Sequence, residues 1–325
     1  MTQHIGQRSV GQFLATRRSV LGVAAAISAC ANLPKPPPDA DFEGVETPSE
    51  SVQLSMASAD GTVRFLARLC RFPAFQRAWI WVLAMTPTAL YTFVDHQAAD
   101  PAPASPVDDR AARYQDGRPF LQFDRDGPAA APNAARLTGE APARRGAHGR
   151  YGAGSERLVF TAKFAPLRAR AGLLPGRSEA FGEVELELKT PHGEFIAAGL
   201  GQFHEQRQTD PRFVTPFAYA SLWARTASGT LLLTPQGEGG FIATDAGRRD
   251  FTRVDLAGPT SQIRALNLRA ADGALMSGSI DVVQRFTLPV FGRDWRGAFV
   301  DATLDGADFR GLLNDWRAAE VPYRL

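Results

Sequence analysis

The chain has 325 residues, of which 44% are hydrophobic and 22% charged, with 36 basic and 34 acidic side chains and 2 cysteines. That size and composition fit a globular protein of two domains or one large β domain, and they exclude extensive disorder away from the ends. The nearly balanced charge gives no bulk attraction to nucleic acid, and two cysteines cannot staple a small disulfide scaffold.

Residues 1–30 contain "FLATRRSVLGVAAAISAC", basic residues followed by an apolar run and then small residues, which is the pattern of an export signal. Arg17 and Arg18 in "TRRSVLG" resemble a twin-arginine signal, and "ISAC" ending at Cys30 resembles a lipoprotein lipobox. On that reading Cys30 is the acylated N-terminus of a periplasmic protein whose membrane partner is reached through the lipid anchor. The alternative is a positive segment for the general export route and a cut at Ala29 and Ala31 that releases a soluble protein. Residues 20–29 are too short to span a bilayer, which takes about 20 apolar residues. Removing Arg8, Arg17 and Arg18 with the signal leaves 33 basic against 34 acidic residues. Either cut also leaves Cys70 with no partner, so no disulfide is expected.

Residues 31–51, "ANLPKPPPDADFEGVETPSES", combine prolines and acids with few apolar residues and read as an extended tether. From Val52 onward, short apolar or alternating runs are punctuated by Gly and Pro, as strands are. "AWIWVLAMTPTALYTFV" is read as two strands joined near Pro87, because a mid-helix proline removes a hydrogen bond and clashes with the preceding turn. Between about 97 and 157 the Ala, Pro, Gly and Arg content points to long surface loops. "GEVELELKT" alternates Val184, Leu186 and Leu188 with charged residues, which marks a half-buried antiparallel strand. A meander of similar runs follows, and "ADFRGLLNDWRAAE" places Phe309, Leu312, Leu313 and Trp316 near one face of a short C-terminal helix. The expected class is all-β, with domains at 52–165 and 166–325, and closure into barrels would remove exposed edges.

Two stretches carry a family resemblance. "LARLCRFPAFQRAWIWVLAM" followed by "LYTFVDHQ", and "GLGQFHEQRQTDPRFVTPFAYASLWA", resemble the tandem lipocalin-like superfamily. That superfamily includes carotenoid 1,2-hydratases (hydroxyneurosporene synthases), AttH-type proteins and fungal lipocalin-like Diels-Alderases. The family's usual tryptophan after the polar segment is replaced here by "RQTDPRF". The resemblance implies two lipocalin-like antiparallel barrels, an apolar isoprenoid or polyketide ligand held in or between them, and no cofactor.

Hydration of an unactivated alkene needs a proton donor and a water-positioning group inside a dry pocket. His204 and Glu205 supply candidate catalytic groups, and Asp95 and His96 are a second pair that could reach the same cavity. Adjacent strand residues point to opposite faces, so only one of His204 and Glu205 can enter a given cavity. Glu205 is expected inward with Phe203 beside Gly199 and Gly201, where the glycines leave room for a ligand or a neighbouring strand. The plain alternative is that both residues are solvated polar groups at a strand end. Trp79, Trp81, Tyr91, Phe203, Phe217, Tyr219 and Trp223 are candidate substrate-binding residues, although core packing explains aromatics equally well.

The arginines between 144 and 177 stand among few acids, either as scattered loop charges or as contacts to anionic head groups. No metal-ligand spacing, phosphate-cradling glycine loop or G-x-S-x-G elbow is present. Two functions remain open. One is an exported, cofactor-independent hydratase or lyase acting on a hydrophobic isoprenoid-like substrate. The other is a non-catalytic lipid or isoprenoid carrier of the same fold.

Overall fold

The computed structural model describes residues 36–100, 112–117, 120–127, 133–168, 172–213, 215–234 and 237–316, with side chains described outside 111–120. The export segment and Cys30 lie outside the described residues. Ten strands form the first sheet: β1 (Ser49–Ser58), β2 (Arg64–Phe72), β3 (Arg77–Met85), β4 (Leu90–Ala99), β5 (Ala112–Gly117), β6 (Phe120–Arg125), β7 (Ala135–Arg145), β8 (Glu156–Pro166), β9 (Arg177–Thr190) and β10 (Gly193–Gln208). Their order is β4-β3-β2-β1-β10-β9-β8-β7-β6-β5, and the sheet curls until β4 also meets β7, with Tyr91 opposite Arg145 and Thr92 opposite Arg144. Eight more strands close a barrel in sequence order: β11 (Ala218–Trp223), β12 (Ala227–Thr234), β13 (Gly237–Thr244), β14 (Gly247–Leu256), β15 (Ile263–Ala270), β16 (Leu275–Val290), β17 (Arg293–Leu304) and β18 (Ala307–Asp315). Every pairing within these strands is antiparallel, as expected where short turns join neighbours.

Side-chain alternation sorts the buried residues into three layers. Val52, Leu54, Phe65, Leu69, Phe160 and Phe203 fill the curve of the first sheet. Leu222, Leu231, Phe251, Leu268, Val300 and Phe309 fill the barrel. Leu66, Trp79, Trp81, Phe286, Trp295 and Leu312 form a third cluster in the seam where the two bodies press together. Each large apolar side chain buried this way contributes about 1.5–3 kcal/mol. Strand β1 is buried along its whole length because one face joins the interior and the other joins the seam.

Four sequence expectations are corrected here. The segment expected to be a C-terminal helix is strand β18, which pairs with β17 on one side and β11 on the other and so closes the barrel. Phe309 and Leu313 enter the barrel while Leu312 and Trp316 join the seam. A strand buried on both faces places apolar residues at spacings that imitate a helical stripe.

The 97–157 stretch contributes β5, β6 and β7 instead of loops alone. Strand β7 alternates buried Ala135, Leu137, Ala141 and Ala143 with more exposed neighbours, a period-two pattern written mostly in small residues. The change from one sheet to the other falls between Gln208 and Ala218, not at 165–166, because β9 and β10 pair with β8 and β1. The expected tether is folded from Pro37 onward: Ala40–Phe42 is a 3-10 turn, and Asp39 and Phe42 are buried.

Candidate functional site

The alternation that builds the seam also decides which polar groups enter it. On β10, Phe203 belongs to the first interior, so Gln202 and His204 turn toward the barrel. Gln202 donates to the Tyr219 hydroxyl at 3.1 Å and accepts from Ser221 at 3.0 Å, which ties β10 to β11. On β2, the same rule carries Arg68 into the seam between Leu66 and Cys70.

A pocket of about 230 Å³ opens there, with residues of both bodies in its wall. Its polar lining includes Gln53, Arg68, Arg177, His204, Arg212 and Tyr219, and its apolar lining includes Phe213, Phe217 and Trp295. Beside it, Glu179 is fully buried and accepts from Arg177, from Thr230 and from the Tyr219 hydroxyl at 2.7 Å. Arg177 also donates to the Tyr219 hydroxyl and lies 3.3 Å from His204 Nδ1. Because a guanidinium only donates, His204 Nδ1 acts as acceptor, which assigns the proton of the neutral ring to Nε2.

Burial alone would lower Arg177, but Tyr219 and Glu179 hold it above its ordinary value, and burial pushes the Tyr219 hydroxyl up to about 12. Arg68 has a different environment. Its guanidinium sits over the Trp81 ring at 5.0 Å and the Phe213 ring at 5.7 Å. Burial, reinforced by nearby Arg212 and Arg177, pulls Arg68 down to about 9, which still leaves it cationic at neutral pH.

Phe213 holds this wall together from an unusual backbone position. Its φ of 58° is in the left-handed region, which a bulky residue enters only when its surroundings fix it there. Trp79, Trp81, Phe217, Trp295 and Trp316 all have ring centroids within 6.3 Å of the Phe213 ring.

His204, Phe217 and Tyr219 therefore line the seam pocket. Trp79 and Trp81 belong to the seam cluster, where Trp81 supports the pocket through Arg68 and through a 4.8 Å ring contact with Trp295. Tyr91 and Phe203 lie in the first interior instead. Glu205 faces the same way as Phe203 and pairs with buried Arg125 at 3.0 Å. The space beside Gly199 goes to β1, since a Cβ at Gly199 would collide with the Ala57 carbonyl oxygen.

Trp223 lines a separate cleft of about 1000 Å³ on the opposite part of the seam. Exposed Lys163 and Glu185 pair with each other at 3.7 Å on its rim, and Arg225 pairs with Glu183 at 2.9 Å. Its size reflects an open groove between two convex bodies, while the convergent buried polar groups are in the smaller pocket. Asp95 caps Gln97 N–H at 2.7 Å, and His96 is buried between Asp39 and Trp81 outside the pocket wall.

Sequence reasoning missed Gln53, Arg68, Arg177, Arg212, Trp295 and Asn314. Arg68 had a visible signal, because it interrupts the apolar Leu66, Cys70 and Phe72 face of β2, whose only other charged residue is Arg64 at the strand start. The others are brought together only by the packing of one body on the other.

A curled ten-stranded sheet packed against a closed eight-stranded barrel is a lipocalin-like all-β fold. The same fold is seen in the crystal structure of CghA with Sch210972, which has 13% identity, covers 86% of this chain and 90% of that chain, and gives a TM-score of 0.58. A second crystal structure of CghA has 12% identity over 90% of this chain and 94% of that chain, with a TM-score of 0.53. Kievitone hydratase from Nectria haematococca stands further off, with 7% identity over 86% and 90% of the two chains and a TM-score of 0.44. No protein-family model and no curated protein matches the sequence.

Proposed function

We propose that this chain is a cofactor-independent lyase of the hydratase type, acting on a small molecule with an apolar body bound in the seam pocket. One observation carries the reading: titratable groups, His204 and Tyr219 with Arg177 behind them, open into a pocket walled by Phe213, Phe217 and Trp295. A carrier needs only an apolar wall, whereas proton transfer to or from carbon needs such groups in a water-poor site. CghA, which shares the fold, was crystallised with Sch210972.

In this scheme His204 moves the proton through Nε2, Arg177 fixes the ring by donating to Nδ1, and Tyr219 orients the Arg177 and Glu179 pair. Glu205, turned to the other face and paired with Arg125, has a structural part. An isoprenoid-like substrate, export, a periplasmic location and lipid attachment at Cys30 belong to the same proposal, supported by the sequence patterns described above.

The test starts with organic extraction of the purified protein and mass spectrometry of any bound compound, with intact mass reporting acylation of Cys30. The recovered compound is then incubated with the protein and followed for a gain or loss of one water. His204→Ala is expected to lower kcat/KM by about 100-fold or more. Binding without a mass change would leave the carrier. Recovery of no lipid-like compound, together with no binding of polyenes, would remove both.

A further inference from the structure

We infer that the seam pocket recognises an organic acid, binding the carboxylate of an amphipathic ligand through Arg68 and Arg212. This rests on the pocket being the ligand site, as proposed above, and adds the chemistry of the ligand's polar end.

The described pocket lining contains Arg68, Arg177 and Arg212 and no carboxylate side chain. The adjacent carboxylate, Glu179, is already engaged by Arg177, Tyr219 and Thr230. Arg68 is 7% exposed, and no carboxylate pairs with it among the described residues. Arg212 is 6% exposed and donates through Nε to Ser49 Oγ at 2.8 Å. Arg68 Nε, Arg212 Nη2, Gln53 Nε2 and Trp295 Nε1 make no hydrogen bond to any described group. These four groups are all donors, and Asn314 Oδ1 is an acceptor of the lining that likewise makes no hydrogen bond to a described group.

A guanidinium buried without a counter-ion is destabilising, and folded proteins rarely keep one unless something else uses it. Its planar fork matches two oxygens that share one negative charge, which is the geometry of a carboxylate. A pure hydrocarbon would leave both arginines and the other donors uncompensated. An acid with an apolar chain satisfies the donors at one end and the aromatic wall of Phe213 and Phe217 at the other.

The experiment uses the full chain with decanoate and decanol, below their aggregation concentrations, and reads tryptophan fluorescence and melting temperature. Decanoate is expected to bind at least tenfold more tightly than decanol. Arg68→Met is expected to remove that preference while raising the melting temperature of the unliganded protein by about 2–4 °C, since the substitution relieves a buried charge. Arg68→Lys keeps a cation and is expected to retain part of the preference. Equal binding of the two probes by the unaltered protein would overturn the acid assignment and leave the pocket standing. Binding of neither would overturn the pocket itself. An Arg68→Met protein that keeps the full preference for decanoate would also overturn the assignment.

Discussion

Every ring nitrogen of His96 is occupied in the folded protein. Nδ1 lies 2.7 Å from Asp39, and Nε2 accepts from the Trp81 indole N–H at 2.7 Å. A second proton on the ring would break the bond to Trp81. Burial accordingly lowers His96 below its ordinary 6.5, with Asp39 opposing but not reversing the effect. Burial would raise Asp39, yet donors from His96, the Phe291 N–H and Tyr151 hold it below its ordinary 3.8. Below pH 6.5 the unfolded chain takes up a proton on this histidine that the folded one refuses, so the contribution is intact above 6.5 and is lost as the pH falls.

Thermal melts between pH 7 and 5 are expected to show this decline, and His96→Gln is expected to flatten it while lowering stability at pH 7 by about 1–3 kcal/mol. An unchanged slope in the variant would contradict the assignment. The sequence did display this histidine beside Asp95, but its partner Asp39 lies 57 residues earlier in a segment that reads as tether. Such a pairing has no local signal. Arg68 was legible as a charge in the middle of the apolar Leu66, Cys70 and Phe72 face of β2, whereas Arg212 owes its burial to the loop that lays Phe213 over the seam.

At the scale of elements, β10 does two jobs because its neighbours cover both sides. Phe203 and Glu205 serve the first interior, and Gln202 and His204 serve the seam. Removing the Glu205 charge leaves Arg125 buried without its counter-ion, so Glu205→Gln is expected to destabilise the protein by about 3 kcal/mol. Turnover per folded molecule, measured on the soluble fraction below the melting temperature, is expected to stay within twofold. A hundredfold loss would place the proton chemistry on Glu205 instead.

Period two made the strands legible where the buried residues are large, as in β9, and Pro87 correctly marked the break between β3 and β4. The same rule was obscured in β7, where alanines replace larger residues. It was misleading in β18, where burial on both faces hides the alternation.

Across the whole molecule, the seam joins two bodies that could each have been a separate domain. Arg64 of β2 reaches the barrel by donating to the Val300 carbonyl and to Asp301, both at 2.7 Å. Arg310 returns from β18 to the Ser58 and Ala59 carbonyls at 2.8 and 2.5 Å. With the aromatic cluster between them, exposing either body alone would bare much of the seam's apolar surface to water. A single calorimetric transition, with van't Hoff and calorimetric enthalpies in agreement, is therefore expected, and two resolved transitions would refute it. The all-β class followed from the spacing of the strands, but the plane along which the two bodies meet did not. It depends on which outer faces are apolar, and Leu and Phe fill inner and outer faces alike, although all 5 tryptophans lie in the seam.

The two-sidedness of β10 also limits how this stretch can diverge. A strand whose alternate positions serve different compartments tolerates replacement but not a change of length. One inserted or deleted residue between Gly199 and His204 would shift the frame and present Glu205 to the arginines of the pocket. The acid would then neutralise the guanidinium groups from within, as an internal decoy for any incoming anion.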